Sequence, residues 1–391
     1  MVLSKFSYMS ITLDSDTTTP SPVKNVQSEN PSHNSSTELF AQISSMGHEN
    51  VVFCHDEATG LKAIIAVHNT VLGPALGGTR FWNYQNESDA ITDVLRLSRG
   101  MTFKAAISGV NLGGGKAVII GDSRKDGSET FWRRYGRFVD SLGGKYITAE
   151  DVGTKIQDME YIAMETESVT GKPAWLGGGG DPSPVTAYGV FLGLKAGLKQ
   201  ATGSDELSNR SVVVQGVGSV GSSLVEQLRA EGATVYVSDI HEASIAHCVN
   251  EFGAKAIGLD EVYGMEADVY APCALGATLN DETIPELSCS VVAGAANNQL
   301  LDEDKHGKML QERGIVYAPD FLINAGGLIN CYEEYLGAYD RKHALEMTEY
   351  IYTRTLEIFA AAAESGLTSQ QAAINLANER INAMVQLKSR L

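Results

Sequence analysis

At 391 residues the chain is longer than one ordinary core and suits two domains, each able to bury enough surface without disulfides or metals. A composition of 43% hydrophobic and 20% charged residues, with no apolar run long enough to cross a bilayer, is that of a soluble globular protein and argues against a membrane role. The formal charge of −18 repels phosphate backbones and argues against nucleic-acid partners, while five scattered cysteines (Cys54, Cys248, Cys273, Cys289, Cys331) lack metal-site or disulfide-frame spacing and fit a reducing, cytoplasmic setting.

Residues 1–45 open the chain with Ser, Thr, Asn and Pro in excess (DSDTTTPSPVKNVQSENPSHNSS). So little apolar surface cannot offset chain entropy, and the stretch reads as a disordered tail. Its only basic residues are Lys5 and Lys24, with neither a secretory core nor an Arg-rich presequence, and the sequon Asn34-Ser35-Ser36 reads as chance in a Ser-rich run. From Val51, short apolar runs (VVFC, KAIIAVH, KAVIIG, KYITAED) alternate with Gly-rich turns and helical stretches such as 89–99, as in an α/β domain. Near 170–184 the run GKPAWLGGGGDPSPV concentrates Gly and Pro, and a domain boundary or hinge is expected there.

A helix is expected over 186–201, followed by SVVVQGVGSVGSSLVEQLRAEGATVYVSDI, which reads strand, Gly turn, helix, strand. Val212 to Val214 give the continuous apolar run of a buried parallel strand, and Val220, Leu224 and Leu228 recur on one helix face. The runs ADVYAPCA, SVVAGA and GIVYAPDFLIN extend this sheet. A helix from about residue 341, with Leu345, Tyr352, Leu356 and Phe359 near one stripe, ends around Ser365-Gly366, and Thr368 to Gln371 form a capping box for the next.

Gly216-Val217-Gly218-Ser219-Val220-Gly221 is a GxGxxG between a predicted strand and a predicted helix, with Asp239 closing the second strand. In such a loop Gly216 makes the tight turn, Gly218 lets backbone approach a pyrophosphate and Gly221 lets the helix meet the sheet. Asp239 offers a carboxylate to a ribose 2′-hydroxyl and repels a 2′-phosphate, so the expected cofactor is NAD rather than NADP. An FAD motif would sit nearer the start of a chain, and a Gly turn that binds nothing is the plain alternative.

The densest chemistry lies earlier, in GPALGGTRF (73–81), RGMTFKAAISGVNLGGGKAVIIGD (99–122) and YITAEDVGT (146–154). Glycines 113 to 115 are expected to let a ligand approach the backbone before Lys116. A lysine crowded by a second one, Lys104, in a dry cleft would have a lowered pKa and could serve as a base; Asp151 is a candidate proton carrier. From the residues alone Lys116 could equally be a solvated loop residue and Asp151 a helix N-cap.

These segments, the phosphate loop, AGAANNQL (293–300) and NAGGLIN (324–330) resemble the Glu/Leu/Phe/Val dehydrogenase family from about residue 46 to the C-terminus, and within it most resemble the leucine-preferring members. The resemblance implies a two-domain α/β fold: an α/β substrate-binding and oligomerisation domain (46–182 plus 368–391), a Rossmann-type NAD-binding domain (183–367), and C-terminal helices packing back on the first. It further implies a homo-oligomer that uses NAD to deaminate an L-amino acid to its 2-oxo acid and ammonia, and the reverse, with no metal. Carried over by motif, Lys104 holds the substrate carboxylate, Lys116 activates the attacking water and Asp151 exchanges a proton with the amino group. Gly77 and Gly78 bring backbone toward the carboxylate, Asn298 and Asn324 lie near the nicotinamide ribose and substrate, and Thr186 contacts the carboxamide.

Substrate choice turns on four further positions. Glutamate-specific relatives carry a lysine just before the Gly-Gly pair, where this chain has Leu76, and an apolar wall cannot stabilise a second buried carboxylate. Ala149, Leu328 and Cys331 complete the pocket implied by the resemblance. Cys331 replaces the serine of glutamate enzymes, and Ala149 leaves less depth for a ring than the glycine of phenylalanine enzymes. Leucine is expected first, then valine and isoleucine. The chain departs from leucine-preferring relatives in its tail, at Leu328 and Cys331 where valine is usual, and in its longer glycine run. Enzymes of the same chemistry acting on phenylalanine or tryptophan, and a catalytically silent NAD-binding protein, are the alternatives.

Overall fold

The computed structural model describes residues 39–389. Of the expected tail, 1–38 lie outside the described residues, but its end is helix α1 (Leu39–Met46), whose Ile43 and Met46 pack among Ile64, Ala90 and Val94. Eight residues after a Ser-rich run are too few to display a helical period in the sequence.

The first domain follows as β1 (Asn50–Asp56), β2 (Leu61–Asn69), β3 (Ala75–Trp82), α2 (Glu87–Ile107), β4 (Gly113–Ile120), α3 (Glu129–Asp140), β5 (Tyr146–Glu150) and α4 (Ile156–Ala163). Its five-stranded sheet runs β1-β2-β4-β3-β5, with β1 and β2 antiparallel additions to a parallel β4-β3-β5 core. Helix α2 starts where the Asn86 side chain accepts the Asp89 N–H, and buries Ala90, Val94, Leu95, Ser98, Thr102 and Ala105 against the sheet. It runs on through MTFK, so Lys104 projects from a helix.

The second domain contains α5 (Ser183–Thr202), β6 (Ser211–Gln215), α6 (Ser219–Ala230), β7 (Thr234–Ser238), α7 (Glu242–Phe252), β8 (Lys255–Ala256), β9 (Val269–Pro272), α8 (Thr283–Glu286), β10 (Val291–Val292), α9 (Glu303–Glu312), β11 (Val316–Tyr317), α10 (Asp320–Ile323) and α11 (Gly326–Tyr335). Its sheet is all parallel in the order β8-β7-β6-β9-β10-β11, a doubly wound arrangement that reverses direction between β6 and β9. Ligands of open parallel sheets bind at that reversal. Glycines 189, 193 and 197 recur every fourth residue on α5, where side chains would collide with Ile323 and Val291, so this helix presses directly on the sheet.

Helix α12 (Arg341–Ser365) packs on α5, but its buried stripe is Ala344, Thr348, Ile351, Thr355, Ile358 and Phe359 rather than the expected Leu345, Tyr352 and Leu356, which are half-buried. Two threonines can face the core because each hydroxyl donates to the carbonyl four residues back, Thr348 to Ala344 and Thr355 to Ile351, both at 2.7 Å. Helix α13 (Ser369–Ser389) opens with the expected box: the Thr368 N–H donates to Gln371 Oε1 and the Gln371 N–H to Thr368 Oγ1. It returns to α2 through Arg380, which donates to the carbonyls of Ala105, Ala106 and Gly109.

The glycine-rich run between the domains is tied down rather than loose. The Glu334 carboxylate on α11 accepts backbone N–H groups from Gly171, Lys172 and Gly179, while residue Thr170 just before bonds to Thr148 of β5. The attachment of this run thus passes from β5 at Thr170 to α11 at the adjacent Gly171. Among the described residues no helix is long and apolar enough to cross a membrane.

Candidate active site

Lys116 sits in the middle of β4, paired in register with Ala66, and is 5% exposed. A buried ammonium needs a counter-charge, and Asp151 Oδ1 supplies it at 2.9 Å. Asp151 follows β5 directly and caps no helix; α4 begins after Lys155. Its backbone N–H donates to Thr154 Oγ1, and Phe81 of β3 donates to Val152 O, so the turn is stitched back onto β3.

Why the Gly-Gly pair stands in β3 is clear from what surrounds it. A Cβ on Gly78 would lie 2.8 Å from Asp151 Cβ, and one on Gly77 would overlap the Gly115 carbonyl. Glycines 113 to 115 correct an expectation: no ligand is to approach there, because added side chains would strike Asn69, Thr102 and the Tyr146 ring. They let α2 and the neighbouring strands close on β4, bringing Lys104 and Lys116 to the same place.

Arg80, two residues past Gly78 on the same strand face, donates from Nε to Asp151 Oδ2 at 3.2 Å and from Nη1 to Asp93 of α2 at 2.9 Å. Burial alone would raise the Asp151 pKa, but the charges and hydrogen bonds of Lys116 and Arg80 outweigh it and hold the carboxyl below its ordinary range. Its neighbour Glu150 is pushed up to about 7, by burial first and then by Asp181, Asp158 and Asp151. The acidic pair thus divides, with Asp151 ionised at neutrality and Glu150 near its midpoint.

Lys104 reaches across to the second domain, donating to Asn297 Oδ1 at 3.1 Å. Burial and then the Lys116 charge lower its pKa to about 8, against the opposing pull of Asp320. Asn324 donates to the same Asn297 oxygen at 2.9 Å and to Ala295 O at 3.1 Å, and its own Oδ1 is buried with no partner among the described residues. Such an acceptor suits an incoming ammonium. The amide that touches Lys104 and Asn324 is that of Asn297; its neighbour Asn298 has φ of 52° and lines a cavity with Arg99, Phe103 and Asp320.

The four expected wall residues, Leu76, Ala149, Leu328 and Cys331, are all buried and belong to one contiguous apolar cluster that also holds Ile147 and Ile329. Leu328 and Cys331 come from α11, whose start lies against α5 so closely that a Cβ on Gly327 would be 2.9 Å from Thr186 Oγ1. The Thr186 hydroxyl itself donates back to Pro182 O.

At the sheet reversal the three glycines of the phosphate loop separate by role. Gly216 has φ of 94°, and a Cβ there would meet Ala274 at 2.7 Å; a Cβ on Gly221 would overlap the Gly216 carbonyl. Gly218 faces open space, with nothing within 4 Å, and caps α6 without any side-chain acceptor for the first-turn N–H groups. That combination fits a pyrophosphate. Asp239 is fixed by the Val217 and His241 N–H groups at 2.7 and 2.8 Å. A dinucleotide laid across this reversal would be held by Gly218, the α6 N-terminus and Asp239.

Arg80, Asp93, Asn297 and Asp320 went unnoticed in the sequence. Arg80 had a usable signal, since reading ALGGTRFW as a strand puts it on the face of Gly78.

A family model described as "Glu/Leu/Phe/Val dehydrogenase, dimerisation domain" matches residues 48–168, and one described as "Glutamate/Leucine/Phenylalanine/Valine dehydrogenase" matches 236–388. Leucine dehydrogenase of Bacillus cereus is 52% identical over 352 residues, covering 90% of this chain and 96% of that protein. Phenylalanine dehydrogenase of Caldalkalibacillus thermarum is 46% identical over 359 residues, again 90% of this chain and 96% of that one. The crystal structure of L-tryptophan dehydrogenase from Nostoc punctiforme superposes with a TM-score of 0.77 at 45% identity, over 89% of this chain and 99% of the other.

Proposed function

The chain belongs to the Glu/Leu/Phe/Val dehydrogenase family of nicotinamide-dinucleotide-dependent amino-acid oxidoreductases, and from that premise we propose that it oxidises branched apolar L-amino acids, leucine above all, to 2-oxo acid and ammonia, with NAD, and catalyses the reverse amination. The observation that carries this reading is the ion pair of Lys116 with Asp151, with Lys104 near enough to feel both charges, together with the burial of Leu76, Ala149, Leu328 and Cys331 in one apolar cluster.

Bound dinucleotide would supply the acceptor for the hydride leaving the substrate α-carbon. The protein does the rest. Lys104 pairs with the carboxylate, with backbone at Gly77 and Gly78 alongside, and the unpartnered Asn324 Oδ1 orients the amino group. Asp151 takes a proton from that group before hydride loss leaves an iminium. Lys116, once it has given up its own proton, takes one from water as that water attacks the iminium carbon; Asp151 returns its proton to nitrogen, and the new hydroxyl passes its proton to the freed Asp151 carboxylate as the carbonyl forms and ammonia departs. Closing the cleft excludes bulk water from these steps. Asp239 favours NAD over NADP by repelling a 2′-phosphate, and Leu76 disfavours glutamate because an apolar side chain offers a second carboxylate no counter-charge.

The domain division follows the chemistry: 46–182 with 368–391 binds substrate, and 183–367 holds the dinucleotide. The match of 48–168 to a dimerisation domain supports assembly with further copies of this chain, in the cytoplasm.

An absorbance assay of NADH formation with leucine, valine, isoleucine, phenylalanine, tryptophan and glutamate tests the reading. Leucine should give the highest kcat/KM and glutamate the lowest; an aromatic optimum would assign the chain to a phenylalanine or tryptophan activity. Lys116→Ala should lower turnover about 10³-fold or more with NADH binding retained, and near-normal turnover would remove Lys116 from its role.

A further inference from the structure

Both oxygens of Asp151 are claimed by cations from different strands, Lys116 of β4 on Oδ1 and Arg80 of β3 on Oδ2. Arg80 does not grip the carboxylate with its fork: one N–H goes to Asp151, and Nη1 is spent on Asp93, whose same oxygen also receives the Tyr84 hydroxyl at 2.6 Å. A chain of hydrogen bonds therefore runs from Tyr84 through Asp93 and Arg80 to the carboxylate facing Lys116. Asp93 and Lys104 stand eleven positions apart on α2, about three turns, so one helix face anchors both the ammonium beside Asn297 and the far end of this chain.

We propose that Arg80 is a positioning residue for proton transfer: anchored by Asp93, it fixes the orientation of Asp151 and keeps it an ionised acceptor toward the substrate amine. The inference rests on reading Asp151 as the proton carrier. Lys116 alone leaves the carboxylate free to rotate about its Cβ–Cγ bond; the second bond to Oδ2 removes that freedom. The charge balance points the same way. Asp151 faces Lys116 from β4, Arg80 from β3, Lys104 from α2, Glu150 beside it on β5, and the phenols of Tyr84 and Tyr146, with Asp93 of α2 behind Arg80. Removing one cation from this group makes every remaining member hold its proton to higher pH, and removing an anion does the reverse.

The test is the pH profile of kcat/KM for leucine oxidation in the intact enzyme, with NADH fluorescence titration as a check that the second domain is unaltered. Arg80→Gln should lower kcat about 100-fold, as a misplaced reacting group does, and move the ascending limb about one pH unit higher. Arg80→Lys keeps the charge and should hold the limb at its wild-type place while recovering only part of kcat. Asp93→Asn removes an anion and should move the limb to lower pH, with a fall in kcat of about tenfold. A purely structural role predicts a loss uniform in pH and no opposite displacement for the two variants; that result overturns the proposal, as does an Arg80→Lys profile identical to that of Arg80→Gln. If Arg80→Gln does not fold, the Arg80→Lys and Asp93→Asn profiles decide alone. Asp151→Asn separates the two layers: normal turnover in it rejects the proton-carrier reading and this proposal together, whereas an inactive Asp151→Asn with an unmoved Arg80→Gln limb rejects only the role of Arg80.

Discussion

Two glycine-rich stretches, one in each domain, look alike in the sequence and do opposite things. In the loop after β6, Gly218 borders empty space at the uncapped start of α6, where a ligand can come to the backbone. In β3 and β4, glycines 77, 78 and 113 to 115 border other protein atoms and have no room even for a methyl group. The first makes room for a small molecule. The second makes room for protein, and that is how Lys104 from a helix, Lys116 from a strand and Asp151 from the turn after another are drawn together. A glycine run is informative only once its neighbours are known.

The largest effect that would break this contrast is at Gly114, where a Cβ would overlap both the backbone nitrogen and the hydroxyl of Thr102 on α2. Gly114→Ala should force α2 off the sheet and destabilise the protein by about 3 kcal/mol, the upper end of overpacking costs, read as a lower denaturant midpoint. Wild-type stability in that variant would mean the strand has slack, and that ligand approach explains the glycines after all. Gly218→Ala sharpens the other side. Its φ of −67° suits alanine, so stability should stay within about 0.5 kcal/mol while NADH binds about tenfold more weakly, near 1.4 kcal/mol. A variant that binds NADH normally would show that the pyrophosphate lies elsewhere.

The same contrast explains what the sequence made legible. Period and turn chemistry carried the βαβ unit, the glycines before α6 and the capping box at Thr368, because each is a local pattern with a local cause. Strand β3 was hidden because the Gly pair lowers its β propensity, and with it went Arg80, whose partners Asp93 and Asp151 are distant in sequence. Asn297 went unremarked because its bonds to Lys104 and Asn324 join residues far apart in sequence. The buried stripe of α12 was misplaced because Thr348 and Thr355 count as polar until their hydroxyls are returned to their own helix. The α/β class and the residue types of the candidate site were readable; which side chains touch was not, since contact across a sheet leaves no mark in one-dimensional spacing.

The smallest predicted effect concerns the place where the two regions touch. Lys104 bonds to Asn297 across the domains, and burial together with Lys116 lowers its pKa to about 8. A ligand carboxylate brings a negative charge to Lys104, which raises the pKa in the complex above that of the free protein. Linkage then fixes the sign: below about 8 the ammonium is present in both states and affinity is flat, and above it the free protein must take up a proton to bind. Affinity should fall by up to about tenfold per pH unit in that range. Leucine is a poor probe, because its own amino group titrates there; the saturated carboxylic acid of the same skeleton, which lacks that group, reports Lys104 alone as a competitive inhibitor. Lys104→Arg stays protonated throughout, so its inhibition constant should be level with pH even if weaker overall. An inhibition constant equally level in the wild type would place the carboxylate away from Lys104 and detach the α2 face from substrate binding.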